Sequence, residues 1–294
     1  MSNLDDRRDY GVRSVQLAID ILEAVALSGA ELGVTQIAVQ LQLTKGSVYR
    51  HLQTLVERGY LAQNLATTRY HMGPRSRLLA RLSAKPDLIE AAEPLMWDLR
   101  NTVGQTVVLS EMSPRGAMVL RTVPGPSPIE IGVRPGSELA FHASAQGKIL
   151  LAYAPKPLQQ RVLSGPLQQF TGKTITKRHP LETELERVRA RGYATAPEEI
   201  ILGLNALAVP IFDEEGNCAA TVAIVGSIQF IRAEPNRHII ESLRDTGRQI
   251  SYALGYRPPK DAAVPRKAVV AAKIKPRRAR HPSRSPSRSP RRST

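Results

Sequence analysis

The stretch VTQIAVQLQLTKGSVYRHLQTLVERGYL, from Val34 to Leu61, constrains this chain more than any other. Ile37, Ala38 and Leu41 share one face of a first short helix over 34–41, for which Thr35 is the expected N-cap. Only Gln42 and Leu43 separate it from a second helix, where Val48, Leu52, Leu55 and Val56 recur at helical spacing. Helix, tight turn, helix is the unit that lays its second helix against nucleic acid. With Val48 central to the buried face, a rotation of about 100° per residue turns Ser47, Arg50, Gln53, Thr54 and Glu57 outward. That face opens with Thr44, Lys45, Gly46 and Ser47, small polar groups where an ordinary surface helix scatters Glu and Lys. Short side chains let the helix start approach a major groove, and its free N–H groups favour a phosphate. Arg50 then reaches a guanine edge or a second phosphate. The bland reading is a solvent-facing side of a three-helix domain. The neighbouring elements weigh against it.

Those neighbours are a helix over 12–28, with Val15, Ala18, Ile19, Leu22 and Val25 on one face, and an extended pair after Gly59, which suits a helix C-terminus. The pair, YLAQN and TTRYHM, reads as a β-hairpin wing. At 294 residues, with 42% hydrophobic and 23% charged, the chain is long enough for two globular domains. No apolar run reaches the roughly 18 residues needed to span a bilayer, and Met1–Tyr10 lacks the apolar stretch of a signal peptide. A cytoplasmic location and no membrane partner are expected. Cys218 is the sole cysteine, so disulfides and cysteine-based metal sites are out. Of the 41 Lys and Arg, 13 lie from Arg257 onward against one acid, Asp261, so the net charge of +15 belongs mostly to that tail. Its end, HPSRSPSRSPRRST, reads as disordered and would attract any polyanion without sequence preference. A solvated, dispensable extension is the equal alternative.

The rest reads as an α+β domain of antiparallel strands and flanking helices. Asp87–Val103 is an amphipathic helix with Leu88, Ala91, Ala92, Leu95 and Leu99 on one face. TVVLSEM and AMVLRTV form a hairpin around Pro-Arg-Gly, and IEIGV adds a third strand. Helices follow at 144–153 and 181–191, then extended ALAVPIF, the turn DEEGN, CAATVAIVG and a last helix near 235–254. Chemistry is not evident. His142 and Ser144 lack a third orienting group, Glu198 and Glu199 are adjacent carboxylates of the usually solvated kind, and the six histidines show no metal-ligand spacing. No enzyme activity, metal or cofactor is expected. Ser144 reads as the N-cap of a helix whose first-turn amides, on Ala145, Gln146 and Gly147, suit a carboxylate.

Together, VRSVQLAIDILEAVA, TQIAVQLQLTKGSVYRHLQTLVERGYL, RYHMG, GVRPGSELAFHASAQGKILLAY, ELERVRARGYATAPEE and GLNALAVPIFDEEG resemble the isocitrate-lyase-regulator (IclR) family of bacterial transcription factors. The resemblance runs from 11 to about 256. It implies a winged helix-turn-helix over 11–73, a linker helix over 74–87, and a GAF-like α+β effector-binding domain over 88–256, with the basic tail at 257–294. It implies a ligand-responsive regulator of a catabolic operon, acting as a homodimer or tetramer on double-stranded operator DNA. The expected DNA-facing set is Thr35, Thr44, Lys45, Gly46, Ser47, Tyr49, Arg50, Gln53, Thr54 and, on the wing, Arg69. The expected effector set is Ser144, Ala145, Gln146, Gly147, Ala196, Leu204, Ala206, Val225 and Ser227. Family members that bind very small acids carry polar residues where this chain has Ala196, Ala206, Ala223 and Val225, so a larger, aromatic carboxylate is the expected effector. The chain departs from the family at Gln42, where a turn glycine is usual, at Gly46, and in the wing turn NLATTR, which lacks a glycine. The competing reading is an α+β sensing or enzymatic domain whose helical N-terminus serves only dimerisation.

Overall fold

The computed structural model describes residues 12–82, 88–128 and 130–258. The first part holds α1 (Arg13–Leu27), α2 (Val34–Gln40), α3 (Lys45–Glu57), β1 (Leu61–Gln63), β2 (Tyr70–Met72) and α4 (Pro74–Arg81). Ile21, Val25, Ile37, Val48, Leu52, Leu61 and Tyr70 close a small core between the three helices and the hairpin. Each such side chain, fully buried, contributes roughly 1.5–3 kcal/mol.

Two expectations are corrected here. In α1 the buried residues are Ile21, Ala24 and Val25, whereas Val15 and Ile19 are 54% and 48% exposed. No residue of α1 before Ile21 is buried, because the core is short and the helix runs past it. The N-cap of α2 is Gly33, not Thr35. Gln36 reaches back so that its Oε1 accepts the Gly33 N–H at 3.0 Å, which starts the helix early and leaves Thr35 exposed in the first turn. The turn between α2 and α3 places Gln42 at φ +55°, as the missing glycine implied. The N–H of Leu43 donates to Ala38 O at 2.9 Å and fixes the reversal. α4 begins on Pro74, buries none of its residues, and exposes Leu78, Leu79 and, at its C-cap, Leu82.

The second part holds α5 (Leu88–Val103), β3 (Thr106–Met112), β4 (Gly116–Val123), β5 (Glu138–Ala140), α6 (Ala145–Tyr153), α7 (Lys156–Ser164), α8 (Arg178–Arg191), β6 (Ala194–Thr195), β7 (Leu204–Phe212), β8 (Cys218–Ser227) and α9 (Arg237–Ala253). Six strands form one antiparallel sheet in the order β5-β4-β3-β8-β7-β6. One face packs α5 and α9 through Val107, Leu109, Leu207, Val209, Val222 and Ile224. The other face carries α6, and there the sheet offers Ala117, Ala208 and Ala223. Large residues on one side and alanines on the other seat α6 close to the sheet. Ala223, expected at the ligand, is therefore packing for α6.

The expected strand IEIGV is not one among the described residues, which omit Ile129. Pro135 and Gly136 (φ +82°) make a tight turn closed by Ser137 N–H to Arg134 O at 3.1 Å, and the residues after it pair with β4 as β5. The helix α7 is absent from the sequence reading because Pro155 and Pro157 disguise a helix start that tolerates proline. The tail expected from 257 lies outside the described residues beyond Pro258, as do residues 83–87 of the expected linker.

Candidate DNA-binding face and ligand cavity

Thr44 caps α3: its Oγ1 accepts the Ser47 N–H at 3.3 Å. The N–H groups of Lys45 and Gly46 have no acceptor among the described residues, so the helix start presents two free donors. A Cβ added at Gly46 would meet nothing within 4 Å, so the fold itself does not require glycine there. Lys45, Tyr49, Arg50 and Gln53 are exposed, and Arg50 has no ion pair among the described residues. Ser47 is half-buried and its carbonyl bonds His51 Nδ1 at 2.8 Å. The Thr54 hydroxyl donates back to Arg50 O at 3.2 Å, and Thr54 borders a groove against α1 that Val15, Ala18, Ile19 and Leu22 also line. Arg50 lines that groove as well, and both side chains remain exposed.

The hairpin wing pairs Leu61 with Met72 and Gln63 with Tyr70, and Leu32 adds a bridge to Tyr70 from the far side. Its turn manages without glycine. Asn64 Oδ1 accepts the N–H groups of Ala66 and Thr67 at 3.0 and 3.3 Å, and Thr68 takes the left-handed conformation at φ +57°. Arg69 is exposed at its base, and Leu65 at its tip is 93% exposed.

In the second part, a cavity of about 210 Å³ opens between the start of α6, β7, β8 and the loops before β5 and β7. Val225, Ala206, Leu204 and Ala196 line it, joined by Ile200, at the end of the segment TAPEEI that the family resemblance assigns to the pocket, and by Ile131, Val133, Leu139 and Ile201, which the sequence did not single out. Ser144, Ala145 and Gln146 form its polar end. Gly147 and Ser227 do not line it. A Cβ on Gly147 would overlap Ala140 O and Phe141 Cα, so this glycine serves the close seating of α6. Its N–H is taken by Ser144 Oγ at 2.9 Å, which corrects its expected role as a free donor.

The hydrogen bonds decide what the polar end can hold. Ser144 Oγ donates to Ala140 O at 2.9 Å and is spent. Asn205 is spent too: its Oδ1 accepts from Ala196 and Ala206, and its Nδ2 donates to Ile231 O and Arg232 O. What remains are the N–H groups of Ala145 and Gln146, and Gln146 Nε2, which is buried without a partner among the described residues. Among the described residues no charged side chain lines the cavity. Two free N–H groups at a helix start and one glutamine amide border an otherwise apolar chamber.

Beneath this end lies a pair the sequence did not reveal. Glu199, expected to be solvated, is buried and forms an ion pair with Lys148, whose Nζ also donates to Thr195 O at 3.1 Å. Burial pushes the Glu199 carboxyl above its usual range, against the pull of Lys148. The pair ties α6 to the loop carrying Ile200 and Ile201. His142 bonds Gln168 O through Nε2 at 2.8 Å while the Ser144 hydroxyl donates to Ala140 O, so the two are not hydrogen-bonded as a nucleophile–base pair among the described residues. Among the described residues no cluster of His, Cys, Asp and Glu could hold a metal.

A helix-turn-helix with a hairpin wing, followed by an α+β body with a cavity at a helix start, is the build of a DNA-binding transcriptional regulator. The helix-turn-helix model of the IclR family matches residues 14–65, and the model described as bacterial transcriptional regulator IclR C-terminal matches 81–252. This chain belongs to the IclR family. The HTH-type transcriptional regulator BhcR of Paracoccus denitrificans is 32% identical over 254 residues, covering 86% of this chain and 90% of its own. The HTH-type transcriptional repressor AllR of Escherichia coli is 30% identical, covering 83% and 91%. The crystal structure of Thermotoga maritima IclR matches with a TM-score of 0.62 and 26% identity, covering 83% of this chain and 99% of that one. The named relatives are regulators and repressors, and the chain is a regulator rather than an enzyme.

Proposed function

We propose that this regulator binds operator DNA through the exposed face of α3 and senses a single-ring carboxylate in the cavity of the second part. The observation that carries the ligand is the helix start at the polar end, where the free N–H groups of Ala145 and Gln146, with Gln146 Nε2 beside them, suit an anion's oxygens. The alanines, valine and isoleucines around it suit an apolar body and leave a two-carbon acid with little to contact. Ligand binding favours one conformation of an assembled protein and so changes its affinity for the operator of a catabolic gene set in the cytoplasm. The assembly is a homodimer or larger, supported by the apolar residues that α1 and α4 leave uncovered, Val15, Ile19, Leu78, Leu79 and Leu82.

The test is thermal unfolding of the full chain with benzoate and its ring-substituted analogues against acetate, glyoxylate and pyruvate. Stabilisation by ring acids, absent in Ala206→Asp, is the expected result, because that substitution sets a carboxylate against the ligand body at a cost of several kcal/mol. Stabilisation by the small acids alone would overturn the reading of the chamber.

A further inference from the structure

Glu31 lies on the loop between α1 and α2, yet its carboxylate is bonded to the wing. Asn64 Nδ2 donates to both of its oxygens, at 3.0 and 3.1 Å, and Thr67 Oγ1 donates to Oε2 at 2.9 Å. The next residue, Leu32, exchanges both backbone hydrogen bonds with Tyr70, at 3.1 and 2.8 Å. The wing is anchored in the small core by Leu61 and Tyr70, but the turn at its far end lies outside that core. Its strands are three residues each, its turn has no glycine, and Leu65 through Arg69 are all exposed. A hairpin of that size is marginal by itself in water. Within the turn, Asn64 works from both ends of its amide, because Oδ1 holds the N–H groups of Ala66 and Thr67 while Nδ2 is held by Glu31.

We infer that Glu31 is a positioning residue for DNA binding, which clamps the wing through Asn64 and Thr67 so that Leu65 and Arg69 meet the DNA beside the groove that α3 occupies. A carboxylate near a polyanion repels it, so any benefit Glu31 brings to binding has to come through the hydrogen bonds it accepts. Those bonds, Asn64 first and Thr67 second, also hold its carboxyl below the ordinary range. The clamp is independent of the ligand cavity, and so of the effector reading.

The experiment uses the full chain and a duplex that the wild type selects from a randomised library, read by affinity, hydroxyl-radical footprint and thermal unfolding. Glu31→Ala is expected to weaken binding about tenfold and to lose protection on the flanking DNA while keeping the central protection. Glu31→Gln keeps an oxygen for Asn64 and gains a donor for the Thr67 hydroxyl, so it restores the flanking protection. Asn64→Ala breaks the clamp from the wing side and reproduces the Glu31→Ala footprint. Unchanged or tighter binding by Glu31→Ala would overturn the inference, since the carboxylate would then act only as a repelling charge. A footprint that fades uniformly along with a lowered unfolding temperature would overturn it too, by making Glu31 a support of the fold.

Discussion

Gln146→Met separates ligand recognition from fold stability, because the two should move in opposite directions. Gln146 is 1% exposed and its Nε2 has no acceptor among the described residues. A buried donor left unmade costs about 1–3 kcal/mol, and an apolar side chain of similar length removes that cost. The free protein should therefore gain on the order of 1 kcal/mol, a rise of roughly 2–4 °C in unfolding temperature for a domain of this size. The ligand loses one hydrogen bond to a charged oxygen, worth about 1.5–3 kcal/mol, so its affinity should fall roughly 10- to 100-fold. The assay is calorimetric unfolding of both proteins without ligand, followed by titration with the acid that stabilises the wild type. A merely damaged core would lower both quantities. A destabilised free variant would show that Nε2 already has a partner, and unchanged affinity would show that the carboxylate does not lie at the start of α6.

Three further outcomes follow from the packing. Leu52→Ala opens a cavity in the small core beneath α3 and should cost roughly 2–5 kcal/mol by denaturant unfolding; a loss well under 1 kcal/mol would mean that the core is not closed there. Lys148→Met strands Glu199 as an unpaired buried carboxylate and should cost about 3–5 kcal/mol at neutral pH. The folded-state carboxyl already sits above its unfolded value, so that deficit should shrink as pH falls and Glu199 takes up a proton; a deficit that grows on acidification would contradict the pairing. Gln42→Gly relieves a left-handed side chain and should stabilise the protein by roughly 1 kcal/mol, whereas a loss would mean that the side chain has a role of its own.

The parts of the molecule that are legible in the sequence are those set by local order. The spacing of Val48, Leu52 and Leu55, the two-residue separation and the non-glycine turn at Gln42 all belong to neighbouring residues, and the structure keeps each of them. Thr35 falls two positions from the true cap because Ser and Thr preferences ignore the reach of Gln36 to Gly33. The face of α1 differs because periodicity tells which residues share a stripe, not how far a core extends beneath it. Glu199 and Glu31 are invisible for a different reason. Their partners stand 51 and 33 residues away, and no pattern within a helix or strand carries that information. The alanines read as room for a ligand, yet Ala223 makes room for α6 while Ala206 does line the cavity. Composition alone cannot divide one role from the other.

Whether α3 reads base sequence decides the function proposed for this chain, and Arg50→Ala probes that without disturbing anything else. Arg50 is exposed on that face and free of ion pairs among the described residues, so its loss leaves the core untouched. Affinities of wild type and variant are measured at one salt concentration on a duplex selected by the wild type and on random duplex of equal length. The expected result is a loss of roughly 1–3 kcal/mol on the selected duplex and a much smaller loss on random DNA, with relaxed preference at one position of the site. Equal losses on both duplexes would reduce Arg50 to a phosphate contact. A full chain that prefers no duplex over random DNA would contradict the reading of α3 altogether.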